Sequence, residues 1–97
     1  SDKKYISSIR IKIPNLPGKL GEVSSLIGFH ENNIINMEII DKKKDYLEFI
    51  FDIQIKNLKN YKNLISELKI KEFKFTVIRH RKKDAFLQRI IKNFKRN

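Results

Sequence analysis

Both prolines of the chain, Pro14 and Pro17, stand just before a glycine, Gly18. Each proline lacks an amide donor and disfavours helix in the residue preceding it, so a strand that reaches Ile13 has to stop there. Gly18 supplies the backbone freedom to turn. Directly afterwards Leu20, Val23, Leu26 and Ile27 recur at helical spacing. The stretch Ile13–Leu20 is thus a strand that ends, turns tightly and becomes a helix. The amides at the start of such a helix lack intrahelical partners and can hold a carboxylate or a phosphate. An ordinary short strand-to-helix connection has the same local pattern.

The rest of the chain falls into order around this unit. Ile9, Ile11 and Ile13 alternate with Arg10 and Lys12, the period of a half-buried strand running from Tyr5 to Ile13. A helix is expected from about Leu20 to His30, ended by Asn32-Asn33, since Asn tolerates the left-handed conformation. Ile34 to Asp41 reads as a second strand and Lys42-Lys43-Lys44-Asp45 as a hairpin tip. Leu47, Phe49, Phe51, Ile53 and Ile55 alternate through a third strand, with Glu48, Asp52 and Gln54 on its other face. Lys56-Asn57 breaks that strand.

Leu58, Tyr61, Leu64, Ile65 and Leu68 then mark a second helix, with the same offsets of 0, 3, 6, 7 and 10 as Leu20, Val23, Leu26, Ile27 and His30. Phe73, Phe75 and Val77 form a fourth strand. Two similar βαβ halves joined by one hairpin give an α+β chain of ferredoxin-like type: a βαββαβ sandwich with a four-stranded antiparallel sheet and both helices on one face. This domain is expected over residues 1–81. A basic amphipathic C-terminal helix is expected over residues 82–97, opened by Asp84 and carrying Phe86, Leu87, Ile90, Ile91 and Phe94 on one stripe. A stripe of this width calls for burial against this domain's sheet, a second copy or the remainder of a larger parent, the first two ranked ahead, with a membrane surface behind them.

Composition sets the remaining bounds. The chain has 97 residues and no cysteine, so it builds one core, without disulfides or thiolate metal sites, and fits a reducing cytoplasm. No apolar run is long enough to span a bilayer and no signal-peptide pattern opens the chain. The start at Ser1-Asp2, with no initiator methionine, points to a segment of a larger protein. The net charge is +11, and residues 79–97 alone hold eight Lys/Arg against one acid. Arg81, Lys82, Lys83, Arg89, Lys92, Lys95 and Arg96 are therefore the residues expected to meet nucleic acid or an acidic partner. A solvated Lys- and Asn-rich composition gives the same excess.

No catalytic constellation is present. His30 and His80 lack cysteine or carboxylate at ligand-like spacing, and no phosphate-binding glycine loop occurs. Ser24 and Ser25 lie within a helix, outside any nucleophile elbow. No cofactor, metal or catalytic residue is expected in this chain. The RNA-recognition motif shares the βαββαβ order but needs exposed aromatics on its third strand. Here Phe49 and Phe51 share the face of Leu47, Ile53 and Ile55, and the other face offers Glu48 and Asp52, which repel phosphate.

Asn15-Leu16-Pro17-Gly18 with Leu20, and the pair Asn33-Ile34 opening the second strand, resemble the ACT domain, a small regulatory module of amino-acid-controlled enzymes. The resemblance runs from about Ile9 to Arg79. Within the family it is strongest to the C-terminal ACT domain of RelA/SpoT-type guanosine tetra- and pentaphosphate synthetase/hydrolases. The residues that carry it are Asn33-Ile34-Ile35-Asn36, Phe49-Ile50-Phe51-Asp52-Ile53, Lys56-Asn57-Leu58-Lys59-Asn60-Tyr61, Leu64-Ile65-Ser66-Glu67-Leu68 and Val77-Ile78-Arg79. Asn60-Tyr61 departs from the usual His-Leu, and the chain runs on past the point where many relatives stop.

The resemblance implies sensing rather than catalysis. Two copies would pair through their sheets and hold an amino acid, with branched-chain ones first to test, between Asn15, Leu16 and Gly18 of one copy and Asn33 and Ile34 of the other. The parent would be a GTP pyrophosphokinase or (p)ppGpp hydrolase of the stringent response. Two alternatives stand beside it: a module that docks on ribosomal RNA or protein without a small ligand, and the ACT domain of another amino-acid-metabolism enzyme.

Overall fold

The computed structural model describes residues 5–81. Six elements follow in order: β1 (Tyr5–Pro14), α1 (Lys19–Phe29), β2 (Asn33–Lys42), β3 (Tyr46–Ile55), α2 (Leu58–Ile70) and β4 (Lys74–Arg81). The strands form one antiparallel sheet in the order β2-β3-β1-β4, which puts the two hydrophobic alternating strands, β1 and β3, at its centre. Ile9, Ile11 and Ile13 pair with Phe51, Phe49 and Leu47, so the apolar residues of the two strands share one face.

Both helices cover that face. Val23, Leu26 and Ile27 of α1 and Tyr61, Leu64 and Leu68 of α2 join Ile9, Ile11, Ile13, Phe49, Phe51, Ile53 and Ile55 in a single core. This is the expected ferredoxin-like sandwich. It also takes Phe49 and Phe51 out of reach of any base, since both are almost fully buried. Phe73 is likewise buried but lies just before β4 rather than in it.

The two helices end in the same way. Glu31 and Glu72 adopt left-handed backbone, with φ of 61° and 63°. In each case the next amide reaches back to close the last turn, Asn32 to the Ile27 carbonyl at 3.1 Å and Phe73 to the Leu68 carbonyl at 3.0 Å. The residues at positive φ bond to Gly28 and Lys69 in turn, which completes a Schellman motif at both ends. The left-handed residue is therefore Glu31, where Asn32-Asn33 were expected to serve. Asn32 is instead buried, and Asn33 opens β2. These caps match Ile27 with Leu68 and Val23 with Leu64, a register one turn away from the match of Leu20 with Leu58 read from spacing.

A glutamate pays a steric cost in this conformation that glycine avoids. Glu72→Gly is expected to stabilise the domain by roughly 0.5–1 kcal/mol, part of the relief being offset by the greater freedom of glycine in the unfolded chain. A rise in the urea midpoint at unchanged slope would show it, and an unchanged or lower midpoint would refute it.

Polar contacts tie the helices to one another. His30 Nε2 lies 2.6 Å from Glu67 Oε1, joining the end of α1 to α2. Asn57 caps α2 by accepting from the Asn60 amide at 2.8 Å. Among the described residues, no helix is long and apolar enough to cross a membrane.

Candidate functional site

The turn after β1 is held from both sides. The Asn15 amide donates to the Asp45 carbonyl at 2.9 Å, and Asn15 Nδ2 to the Lys44 carbonyl at 3.3 Å, so the turn is fastened to the β2–β3 hairpin tip. The Leu16 amide donates to the Pro14 carbonyl at 2.8 Å and the Lys19 amide to the Leu16 carbonyl at 3.3 Å. The second of these closes a four-residue turn over Pro17 and Gly18. Gly18 has φ 84° and ψ −11°, values that a type II turn needs at its third position and that only glycine reaches without strain. A Cβ at Gly18 would meet nothing within 4 Å, so conformation and not crowding calls for glycine here.

Gly18 is also the N-cap of α1, and among the described residues no side chain caps the helix. The start of α1 thus keeps backbone donors turned outward, where the helix field favours an anion. Glu22, in the first turn, is occupied by Lys19 at 3.2 Å. Leu16 projects beside this turn with 61% of its surface exposed. Nearby, the Lys12 ammonium sits 4.4 Å from the centre of the Tyr46 ring, whose hydroxyl donates to Asp41 at 3.4 Å. Partial desolvation and the Asp41 carboxylate raise the Tyr46 phenol above its ordinary pKa.

Asn33 and Ile34 lie elsewhere. They pair with Gln54 and Ile53, which pair in turn with Ile6 and Ser7. They therefore sit at the end of the sheet opposite to Pro14, a strand length or about 25 Å away. Asn15, Leu16 and Gly18 form one cluster, Asn33 and Ile34 another, and a single copy does not bring them together.

A profile of the ACT domain matches residues 1–71, most of the chain. The chain belongs to the ACT domain family. Its relatives include the GTP pyrophosphokinase rsh of Brucella ovis, 28% identical over 67 residues, a match covering 69% of this chain and 9% of the relative. That of Brucella suis is 27% identical over the same coverage. The chain thus spans under a tenth of the curated relatives it matches. Among solved structures, the ACT domain from the GTP pyrophosphokinase of Chlorobium tepidum superposes with a TM-score of 0.57 at 18% identity, covering 82% of this chain and 99% of that one. A prephenate dehydratase from Streptococcus mutans gives 0.66 at 23% identity, over 78% of this chain and 41% of that one. These structural likenesses support the same fold, and the sequence matches relate this ACT domain to that of RelA/SpoT-type GTP pyrophosphokinases.

One feature of this ACT domain escaped the sequence pattern. β2 is an edge strand, and Ile35, Met37, Ile39 and Ile40 on it are 40–46% exposed. Met37 and Ile39 pair with the core residues Phe51 and Phe49, so the apolar layer under the helices runs out uncovered at this edge. The doubled isoleucines Ile34-Ile35 and Ile39-Ile40 were its sequence signal. They break the alternation where the register shifts, between Ile34 and Asn36 and between Ile39 and Asp41. The basic residues expected to meet nucleic acid, Lys82, Lys83, Arg89, Lys92, Lys95 and Arg96, and the helix expected from Asp84, lie outside the described residues. So does the side chain of Arg81.

Proposed function

We propose that this ACT domain is a regulatory module of a RelA/SpoT-type (p)ppGpp synthetase/hydrolase, which pairs with a second copy through β2 and senses an amino acid at the junction. The observation that carries this reading is the apolar edge of β2, which continues the core to a strand paired with β3 on one side and with no neighbour on the other among the described residues. Isolated apolar edges of this kind invite pairing with another chain.

An antiparallel β2–β2 pair reverses the second strand. Residues facing the same side must then lie opposite one another, so the two-fold axis passes through Met37 or Glu38. Two glutamates face to face would repel, which favours Met37. Either register sets Asn33 and Ile34 of the second copy beside Asp41 to Lys43 or their neighbours, at the end of the sheet where Asn15 holds the hairpin tip. The two separated clusters of one copy thereby become adjacent clusters of two copies.

The chemistry of the junction suits an α-amino acid. Outward amides at the start of α1 receive the carboxylate, Asn side-chain carbonyls accept from the ammonium, and Leu16 with Ile34 encloses an aliphatic side chain. Binding to the paired state would then bias the parent enzyme between synthesis and hydrolysis of the nucleotide. Calorimetry of residues 1–97 against valine, isoleucine, leucine and serine tests the sensing role. Saturable heat for one of them, lost in Gly18→Val, is expected. Absence of heat at millimolar concentration with all four would refute it and leave a module that docks on RNA or protein.

A further inference from the structure

The second face of the sheet, turned away from both helices, has no described element over it. Ser8, Ile50 and Asp52 point to this face, because they alternate with the core residues Ile9, Phe49, Phe51 and Ile53. Yet Ser8 is only 1% exposed and Asp52 8%, and Ile6 and Ile50 are half-buried. Ser8 Oγ donates to Asp52 Oδ1 at 2.5 Å, and Asn36 Nδ2 approaches Asp52 Oδ2 at 3.5 Å. A carboxylate so withdrawn from water and so provided with donors belongs to a covered surface rather than to an open one.

We infer that this face is the docking site of the chain's own residues 84–97, laid across it as a helix with the stripe of Phe86, Leu87, Ile90, Ile91 and Phe94 turned to Ile6, Ser8 and Ile50. Where the sheet ends selects the occupant. β4 leaves the sheet at Arg81, opposite Ile6, and so delivers the following residues to the half of the face that holds Ser8 and Asp52. Length agrees, since fourteen helical residues extend about 21 Å, and four strands are about 14–19 Å wide.

Charge agrees as well. Residues 82–97 hold six Lys/Arg and the single acid Asp84. The half of the face they would cross carries Asp52, with Glu38 one row further along β2, whereas Lys12 and Lys74 pair with each other in the row of Glu48, toward the opposite end. The apolar stripe settles over the isoleucines and the serine, and the basic flank meets the acids. This covering is separate from the β2 edge and does not depend on any amino-acid ligand.

The chain has no cysteine, so a nitroxide attached at Lys92→Cys is the only spin label in it. The amide signals of Ser8, Ile50 and Thr76 in 15N-labelled residues 1–97 are expected to broaden strongly, and those of Val23 and Leu64, on the helical side, far less. Adding Ile90→Asp to the same chain is expected to relieve the broadening at Ser8 and Ile50 while the dispersed spectrum of the sheet persists. Equal broadening of both sides, or none at Ser8 and Ile50, would overturn the assignment. So would broadening that also appears when spin-labelled chain without 15N is mixed with 15N chain without the label, because a second copy would then be the occupant.

Discussion

Replacing Tyr61 by alanine is expected to cost roughly 3–5 kcal/mol, enough to unfold much of a domain of ordinary stability. Tyr61 is 2% exposed, in the first turn of α2, and its hydroxyl lies 2.8 Å from Ser7 Oγ beneath the helix. Ser7 itself is fully buried on the core face of β1. The two hydroxyls share a bond inside an apolar layer, where a polar group that loses its partner is costly. Tyr61→Phe should therefore cost about 1–2 kcal/mol by stranding Ser7, while the pair Tyr61→Phe with Ser7→Ala should come close to the original stability. Urea unfolding of the four chains measures the coupling, and additive losses would refute it.

The same phenol makes the domain sensitive to alkali. Burial pushes the Tyr61 pKa up to about 12 from the ordinary phenol value of 10.0, with the Ser7 bond acting the other way. Because the folded value lies above the unfolded one, the contribution of Tyr61 is fully present below pH 10. It falls as the pH climbs toward 12, where the unfolded chain releases its proton first. By pH 11 the loss reaches roughly 1 kcal/mol. The advantage over Tyr61→Phe should shrink to nothing or reverse there, a comparison in which the lysines titrate alike in both chains. A constant difference from pH 8 to pH 11 would contradict this.

Periodicity revealed the centre of this fold, and its margins stayed hidden for physical reasons. Isoleucine and phenylalanine at every second position of β1 and β3 fixed their shared face, because only one register buries all of them. The helix ends followed a different rule. Glu31 takes the left-handed position because the Schellman bonds of Asn32 and Glu31 outweigh its strain, which residue preference alone would assign to asparagine. Tyr61 was read simply as apolar, since its partner Ser7 is distant in sequence. The turn at Asn15–Gly18 was legible as a strand-to-helix turn, for two prolines and a glycine leave few conformations, but its bonds to Lys44 and Asp45 were not. Its distance from Asn33 and Ile34 was not, because that depends on strand order, which is a property of the whole sheet.

That separation gives the second large effect. Met37→Lys together with Ile39→Lys is expected to abolish pairing of the domain while leaving its fold intact. Both side chains are nearly half exposed in one copy, at 46% and 44%, so lysine stems can reach water there without disturbing Phe49 or Phe51. In a β2–β2 pair they would lie in the seam, and four ammonium groups would meet across one axis. Taking roughly 1 kcal/mol for each lost apolar side chain, the dissociation constant should rise about a thousandfold before repulsion is added. Sedimentation equilibrium would show a monomer at concentrations where the original chain is a dimer, with unchanged far-ultraviolet circular dichroism. Amino-acid heat should vanish with the dimer, since Asn15 and Asn33 of one copy stand at opposite ends of its sheet. Heat retained by the monomeric variant would place the ligand within a single copy and dissociate sensing from pairing. An original chain that is itself monomeric at millimolar concentration would remove the pairing and leave the apolar edge for another domain of the parent.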